Sequence, residues 1–131
     1  MTYLLDTNTC VYAIKREPGV LENLQEHGPD DFGISAITVA ELWFGAAKSS
    51  RPRETRSSVD AFLEPFEILP FTIEAADDYA DIRLELERAG RPIGERDLLI
   101  AATARSRHLI VVTSNVREFG RVSGLQVEDW R

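Results

Sequence analysis

Leu109-Ile110-Val111-Val112 is an unbroken apolar run near the end of the chain. A strand with one wet face alternates apolar and polar residues; a strand apolar at every position needs cover on both sides. Such cover is what helical layers give a parallel sheet, so this stretch points to a central strand in an α/β fold. Three other short runs fit the same sheet: Tyr3 to Leu5, Phe32 to Ser35 and Phe66 to Leu69, with a weaker one near Gln126 to Glu128.

Helical patterns lie between the runs. Thr7 or Asn8 is expected to cap a helix through about Arg16, with Pro18-Gly19 marking its end, and Val20 to Glu26 a second, closed by Gly28-Pro29. In "TVAELWFGAAK", with Thr38 near the start, the stripe Ala40, Trp43, Phe44 and Ala47 predicts a helix. The basic stretch "SSRPRETRSS" breaks the pattern and reads as a loop, with a helix from about Ser57 to Glu64 after it. Ala75, Tyr79, Ile82, Leu86 and Ala89 step by four and three along a long helix from Thr72 to Ala89 that Gly90 and Pro92 stop. Asp97 to Ser106 is apolar almost all round, so its helix is expected to be buried on several sides. Strands alternating with helices predict one domain over residues 1–131, a central parallel β-sheet of four to five strands sandwiched between α-helices.

In such sheets, sites gather at the carboxyl ends of the strands. Asp6 in "LLDTN" falls at one such end, Ser35 at a second and Thr113 at a third. Taken one at a time, the acids have ordinary explanations. Asp97 suits the start of a helix, Glu41 a solvated helix face and Glu118 a surface turn. Together, Asp6, Glu41, Asp97 and the Asn115–Glu118 region would bring several carboxylates to one sheet edge. Like charges that close raise one another's pKa unless a cation intervenes. Mg²⁺ or Mn²⁺ takes oxygen ligands of this kind, and such a site activates water against a phosphodiester. Asn115 would add a neutral oxygen or place a water. His27 and His108 lie in turn regions and are expected to be structural. Two other phosphoryl-transfer schemes begin with a strand-end aspartate. A haloacid-dehalogenase-type phosphatase lacks its second aspartate, because Asn8 stands there. A response-regulator receiver lacks its late lysine, because Thr113-Ser114-Asn115 follows the late strand.

The net charge of −7 argues against a protein that coats nucleic acid through charge alone, but not against an enzyme that gathers carboxylates around a cation. Cys10 is the only cysteine, which excludes an internal disulfide and a cysteine zinc site, and it is expected to be a small buried helix residue. No apolar run approaches a membrane span. The N-terminus lacks the order of a signal peptide, so the expected location is cytoplasmic.

Four blocks carry a family resemblance: "LLDTN", "ISAITVAELWFGA" around Glu41, "DLLIAATARSRHLIVVT" from Asp97, and "SNVREFGRVSGLQVEDW". In that order and spacing the chain resembles the PIN-domain ribonucleases, and within them the VapC toxins of bacterial toxin–antitoxin pairs. The resemblance implies Asp6, Glu41 and Asp97 as metal-holding acids, a fourth contribution from Asn115 or Glu118, and support from Thr7, Asn8 and Thr113. It implies a Mg²⁺- or Mn²⁺-dependent endoribonuclease acting on structured RNA such as tRNA or ribosomal RNA, and a homodimer. It also implies a VapB-type antitoxin that plugs the site, and promoter DNA bound by the toxin–antitoxin complex. This sequence departs from the family in two places. Asn115 stands where many relatives carry Asp, and "GERD" puts Arg96 directly before Asp97, where relatives often have an aromatic or small residue.

RNA held by so acidic a chain must meet local basic groups. Lys48, Arg51, Arg53 and Arg56 are expected on a loop after the Glu41 helix, and Arg117 and Arg121 near the fourth strand end. Phosphate contacts from these would position RNA without reading its sequence. Trp43 and Phe44 are candidates for a dimer or antitoxin groove, or for the core. Two alternatives share the scaffold: a silent interaction module, and a metal-dependent DNA nuclease.

Overall fold

The computed structural model describes residues 1–131. In chain order the elements are β1 (Tyr3–Leu5), α1 (Thr7–Ile14), α2 (Pro18–Gln25), β2 (Phe32–Ser35), α3 (Ala36–Ala47), α4 (Pro52–Leu63), β3 (Glu67–Leu69), α5 (Ile73–Arg88), α6 (Glu95–Ser106), β4 (Ile110–Val112), α7 (Val116–Phe119) and β5 (Val127–Glu128). The strands form one sheet in the order β3-β2-β1-β4-β5, and every neighbouring pair is parallel. Tyr3 pairs with Phe32 on one side of β1 and with Ile110 on the other.

Strand geometry decides the layers. Successive side chains point to opposite faces, so Leu4 and Val111 join a core with Ile82 and Leu86 of α5 and the apolar face of α6. Leu5 and Val112 point the other way, into a core with Cys10 of α1, Val20 of α2, Val39 and Leu42 of α3, and Val59 and Leu63 of α4. Burial in that second core pushes the Cys10 thiol far up, so it stays protonated. Trp130 closes the same layer, with its ring 4.9 Å from Tyr3 and 5.8 Å from Phe32. No helix is long and apolar enough to cross a membrane.

The order places β2 and β3 on one side of β1 and β4 and β5 on the other. Chain direction across the sheet therefore reverses between β1 and β4, where open α/β sheets leave a crevice beyond the strand ends.

Two local expectations need correction, and one left open is decided. Most of "SSRPRETRSS" is helical: Pro52 opens α4 instead of breaking it, since its fixed φ and missing N–H suit the first helical position. Arg53 and Arg56 therefore ride on a helix. The stripe Ala40, Trp43, Phe44 and Ala47 faces outward, and Phe44 is 61% exposed. α3 is apolar nearly all round, and the buried face is Thr38, Val39, Leu42 and Ala46. Pro18 starts α2, and Asp6 itself caps α1, because no residue separates strand from helix.

Candidate metal and phosphodiester site

Asp6 stands one residue beyond β1, on the β1 side of the crevice, and is 3% exposed. Its Oδ1 accepts from the backbone N–H of Thr7 at 2.7 Å, and its Oδ2 from the hydroxyl of Thr113 at 2.7 Å. Thr113 directly follows β4, so this second bond spans the crevice. Burial raises the Asp6 pKa; the two donors pull it back, and the charge of Glu41 raises it again.

Glu41 comes from the second turn of α3. Thr7 Oγ1 donates to Glu41 Oε1 at 2.7 Å. Thr38 lies one turn earlier on the same face as Glu41, its hydroxyl 3.1 Å from Thr7 Oγ1. Ser35 caps α3 by accepting from the Thr38 N–H at 3.1 Å, and its hydroxyl stands 3.4 Å from that of Thr38. The single hydroxyl proton of Thr7 goes to Glu41, so Thr38 donates to Thr7 in turn. Ser35 and Thr38 are fully buried, and their part in holding Glu41 is absent from the sequence expectations. The signal was the Thr38-to-Glu41 spacing in "TVAEL".

Asp97 occupies the third position of α6, in the positive first turn of a helix whose cap, Gly94, offers no side chain. Asn115 Nδ2 donates to Asp97 Oδ2 at 3.0 Å and to Glu118 Oε2 at 3.1 Å. Asn115 therefore clamps two acids through its nitrogen. Burial, a hydrogen bond shared with Glu118, and the charges of Asp6, Glu118 and Glu41 push Asp97 up to about 7. Glu118, on the one-turn helix α7, is lowered, first by the Asn115 amide and then by Asp97.

These groups face a cavity of about 370 Å³ lined by Asp6, Thr7, Asn8, Glu41, Gly94, Glu95, Arg96 and Asp97, with no apolar side chain among them. Asp6, Glu41 and Asp97, distant in sequence, thus share one wall system, while Asn115 and Glu118 stand behind Asp97. Arg96 Nη1 sits 3.2 Å from Glu41 Oε2. No three acidic, histidine or cysteine side chains gather closely enough to form a metal cage by themselves. The donor set nevertheless suits a hard cation that keeps several of its own waters and takes one or two carboxylates. Asp6 and Asp97 both have a raised pKa, first through burial and then through neighbouring carboxylates, Glu41 beside Asp6 and Glu118, Asp6 and Glu41 beside Asp97.

None of the proposed RNA-contacting residues lines this cavity. Arg53 and Arg56 border a separate hollow beside Trp43, where the Arg56 guanidinium stacks 3.8 Å from the Trp43 ring and pairs with Asp60 at 3.0 Å. Arg51 caps α4, Lys48 closes α3, and Arg117 is exposed on α7. Arg121 donates to the Pro92 carbonyl at 3.0 Å.

Comparison with known proteins decides the family. The PIN domain profile matches residues 3–125. The chain is 41% identical over 130 residues to the tRNA(fMet)-specific endonuclease VapC of Shigella flexneri, covering 99% of this chain and 98% of that protein. The chain belongs to the PIN-domain family. Ribonuclease VapC2 of Haemophilus influenzae is likewise 41% identical over 130 residues, 99% of this chain and 98% of its own. This PIN domain superimposes on the DNA-bound VapBC structure from Salmonella typhimurium with a TM-score of 0.95 at 41% identity, covering 100% of this chain and 99% of that one. With VapBC2 of Rickettsia felis, bound to a promoter DNA fragment, the TM-score is 0.92 at 38% identity, with full coverage of both chains.

Proposed function

We propose that this PIN domain is the ribonuclease toxin of a VapBC-type pair, a metal-dependent endonuclease that hydrolyses phosphodiester bonds in structured RNA, initiator tRNA first among them. One observation carries the reading: Asp6, Glu41 and Asp97 line a single cavity with no apolar wall. That is a poor pocket for an organic ligand and a suitable one for a cation and a phosphate.

Asp6 and Asp97 are the residues that would hold Mg²⁺ or Mn²⁺, with Glu41 on the wall beside them. Bound there, the cation supplies activation of a water and neutralisation of charge on the phosphate. The chain's own residues set the geometry. Thr113 and the Thr7 N–H fix the Asp6 carboxylate in one rotamer. The Ser35–Thr38–Thr7 relay aims Glu41. Asn115 holds Asp97 against Glu118, so Glu118 acts by positioning, and Asn115 supplies a donor where an acid was the family expectation.

The outward stripe of Trp43 and Phe44, together with exposed Ile73 and Leu84 on α5, offers apolar faces for a second copy and for a VapB-type antitoxin. Promoter DNA would be bound by that toxin–antitoxin complex. Initiator tRNA, total RNA and duplex DNA incubated with the protein and Mg²⁺, beside an Asp6→Asn control, test the assignment. RNA cleavage lost in the variant and in chelator is the expected result. Cleavage of DNA alone selects a DNA nuclease, and inertness toward both with no calorimetric Mn²⁺ binding selects a silent module.

A further inference from the structure

Arg96 is the one basic residue among those lining the acidic cavity, where it faces Asp6, Glu41, Glu95 and Asp97. It lies in the first turn of α6, the helix end that disfavours cations. From there its guanidinium crosses to α3 and meets Glu41 Oε2 at 3.2 Å, while its side chain remains 69% exposed. An ion pair that open adds little to stability and is readily exchanged. Glu41 does not need it for orientation, because Thr7 already holds its other oxygen. Most of the five guanidinium donors stay available to a newcomer.

We propose that Arg96 seats the scissile phosphate. On RNA binding its planar fork leaves Glu41 and donates to two non-bridging phosphate oxygens, as guanidinium groups do with phosphate. The exchange places one positive charge where the phosphate would otherwise meet four carboxylates. It also frees Glu41 Oε2 to accept a hydrogen bond from a water in the cavity. This inference rests on the ribonuclease reading above, and its test separates the two.

Wild type, Arg96→Gln and Arg96→Lys are compared for Mg²⁺-supported cleavage of initiator tRNA across a range of KCl concentrations, with thermal melts alongside. For Arg96→Gln, kcat/KM falls about tenfold to a hundredfold. The plot of log kcat/KM against log salt becomes less steep by about 1, as for loss of one phosphate contact. Arg96→Lys restores the slope but only part of the rate, since an ammonium lacks the fork. Both variants melt with the wild type. An Arg96→Gln enzyme with wild-type kcat/KM and slope overturns the seat while the ribonuclease stands. A slower enzyme with an unchanged slope overturns it too, assigning Arg96 to Glu41 alone. A wild type inert toward initiator tRNA and total RNA overturns the ribonuclease reading and the seat with it.

Discussion

The two sides of the cavity hold their aspartates by different means. Asp6 is almost wholly buried, and neutral donors, a backbone N–H and a threonine hydroxyl, satisfy both oxygens. Asp97 is held by an amide that it shares with Glu118, and burial, then Glu118, Asp6 and Glu41, raise its pKa. The Asp6 side is a fixed anchor built into the strand end. On the Asp97 side, burial and neighbouring carboxylates disfavour the ionised form. The cation proposed above, bound between them, would relieve the second more than the first.

The largest effect is expected from removing either aspartate. Asp6→Asn or Asp97→Asn should each lower Mg²⁺-supported RNA cleavage by about a thousandfold or more, several kcal/mol of transition-state stabilisation. In chelator neither variant should melt below wild type, because each removes a carboxylate whose ionised form the fold disfavours. A drop in melting temperature in both would erase the distinction between a functional and a structural acid.

The next effect is on pH dependence. The folded-state pKa of Asp97 is about 7, above its ordinary value. The folded chain therefore holds that proton more tightly than the unfolded one, and the stabilisation is complete below the usual carboxylate range and lost as pH rises through about 7. In chelator, urea midpoints should fall between about pH 4 and pH 7. Asp97→Asn should flatten that fall and Mg²⁺ should oppose it. Glu118, lowered, contributes in the opposite sense, with stability lost as pH drops below its usual range. A wild-type profile flat across this window would refute the charged side of the comparison.

Thr113→Val probes the anchored side. The hydroxyl donates to Asp6 and accepts from the Asn115 N–H at 2.9 Å, so its loss should cost about 1–3 kcal/mol in urea unfolding and about tenfold in cleavage. The smallest effect is expected of Thr38→Val. That variant removes one hydroxyl two steps from the carboxylate it aims, which should slow cleavage severalfold with no change in the salt dependence.

Much of this was legible in the sequence. Tyr3 to Leu5 announced a strand and Leu109 to Val112 one covered on both faces, and the acids Asp6, Glu41 and Asp97 pointed to the edge where the polar cavity opens. Patterns compatible with two structures misled. Pro52 is a stop signal after a helix and a start signal before one, and only the spacing of Thr55, Val59 and Leu63 behind it favours the start. α3 carries two apolar stripes, and local periodicity is silent on which of them meets the sheet. The bonds from Thr7 to Glu41 and from Thr113 to Asp6 join residues 34 and 107 positions apart. Their chemistry was foreseeable from the residue types, but their partners depend on the order of the strands.

The two tryptophans lie in opposite settings. Trp130 is enclosed by Tyr3 and Phe32, while Trp43 donates its indole N–H to Asp60 at 2.8 Å under the exposed guanidinium of Arg56. The molecule thereby contains its own optical probes. Acrylamide should quench the emission of Trp43 and spare Trp130, so shielding of the accessible fraction on mixing would report, without any label, that another macromolecule has settled over the α3–α4 shoulder.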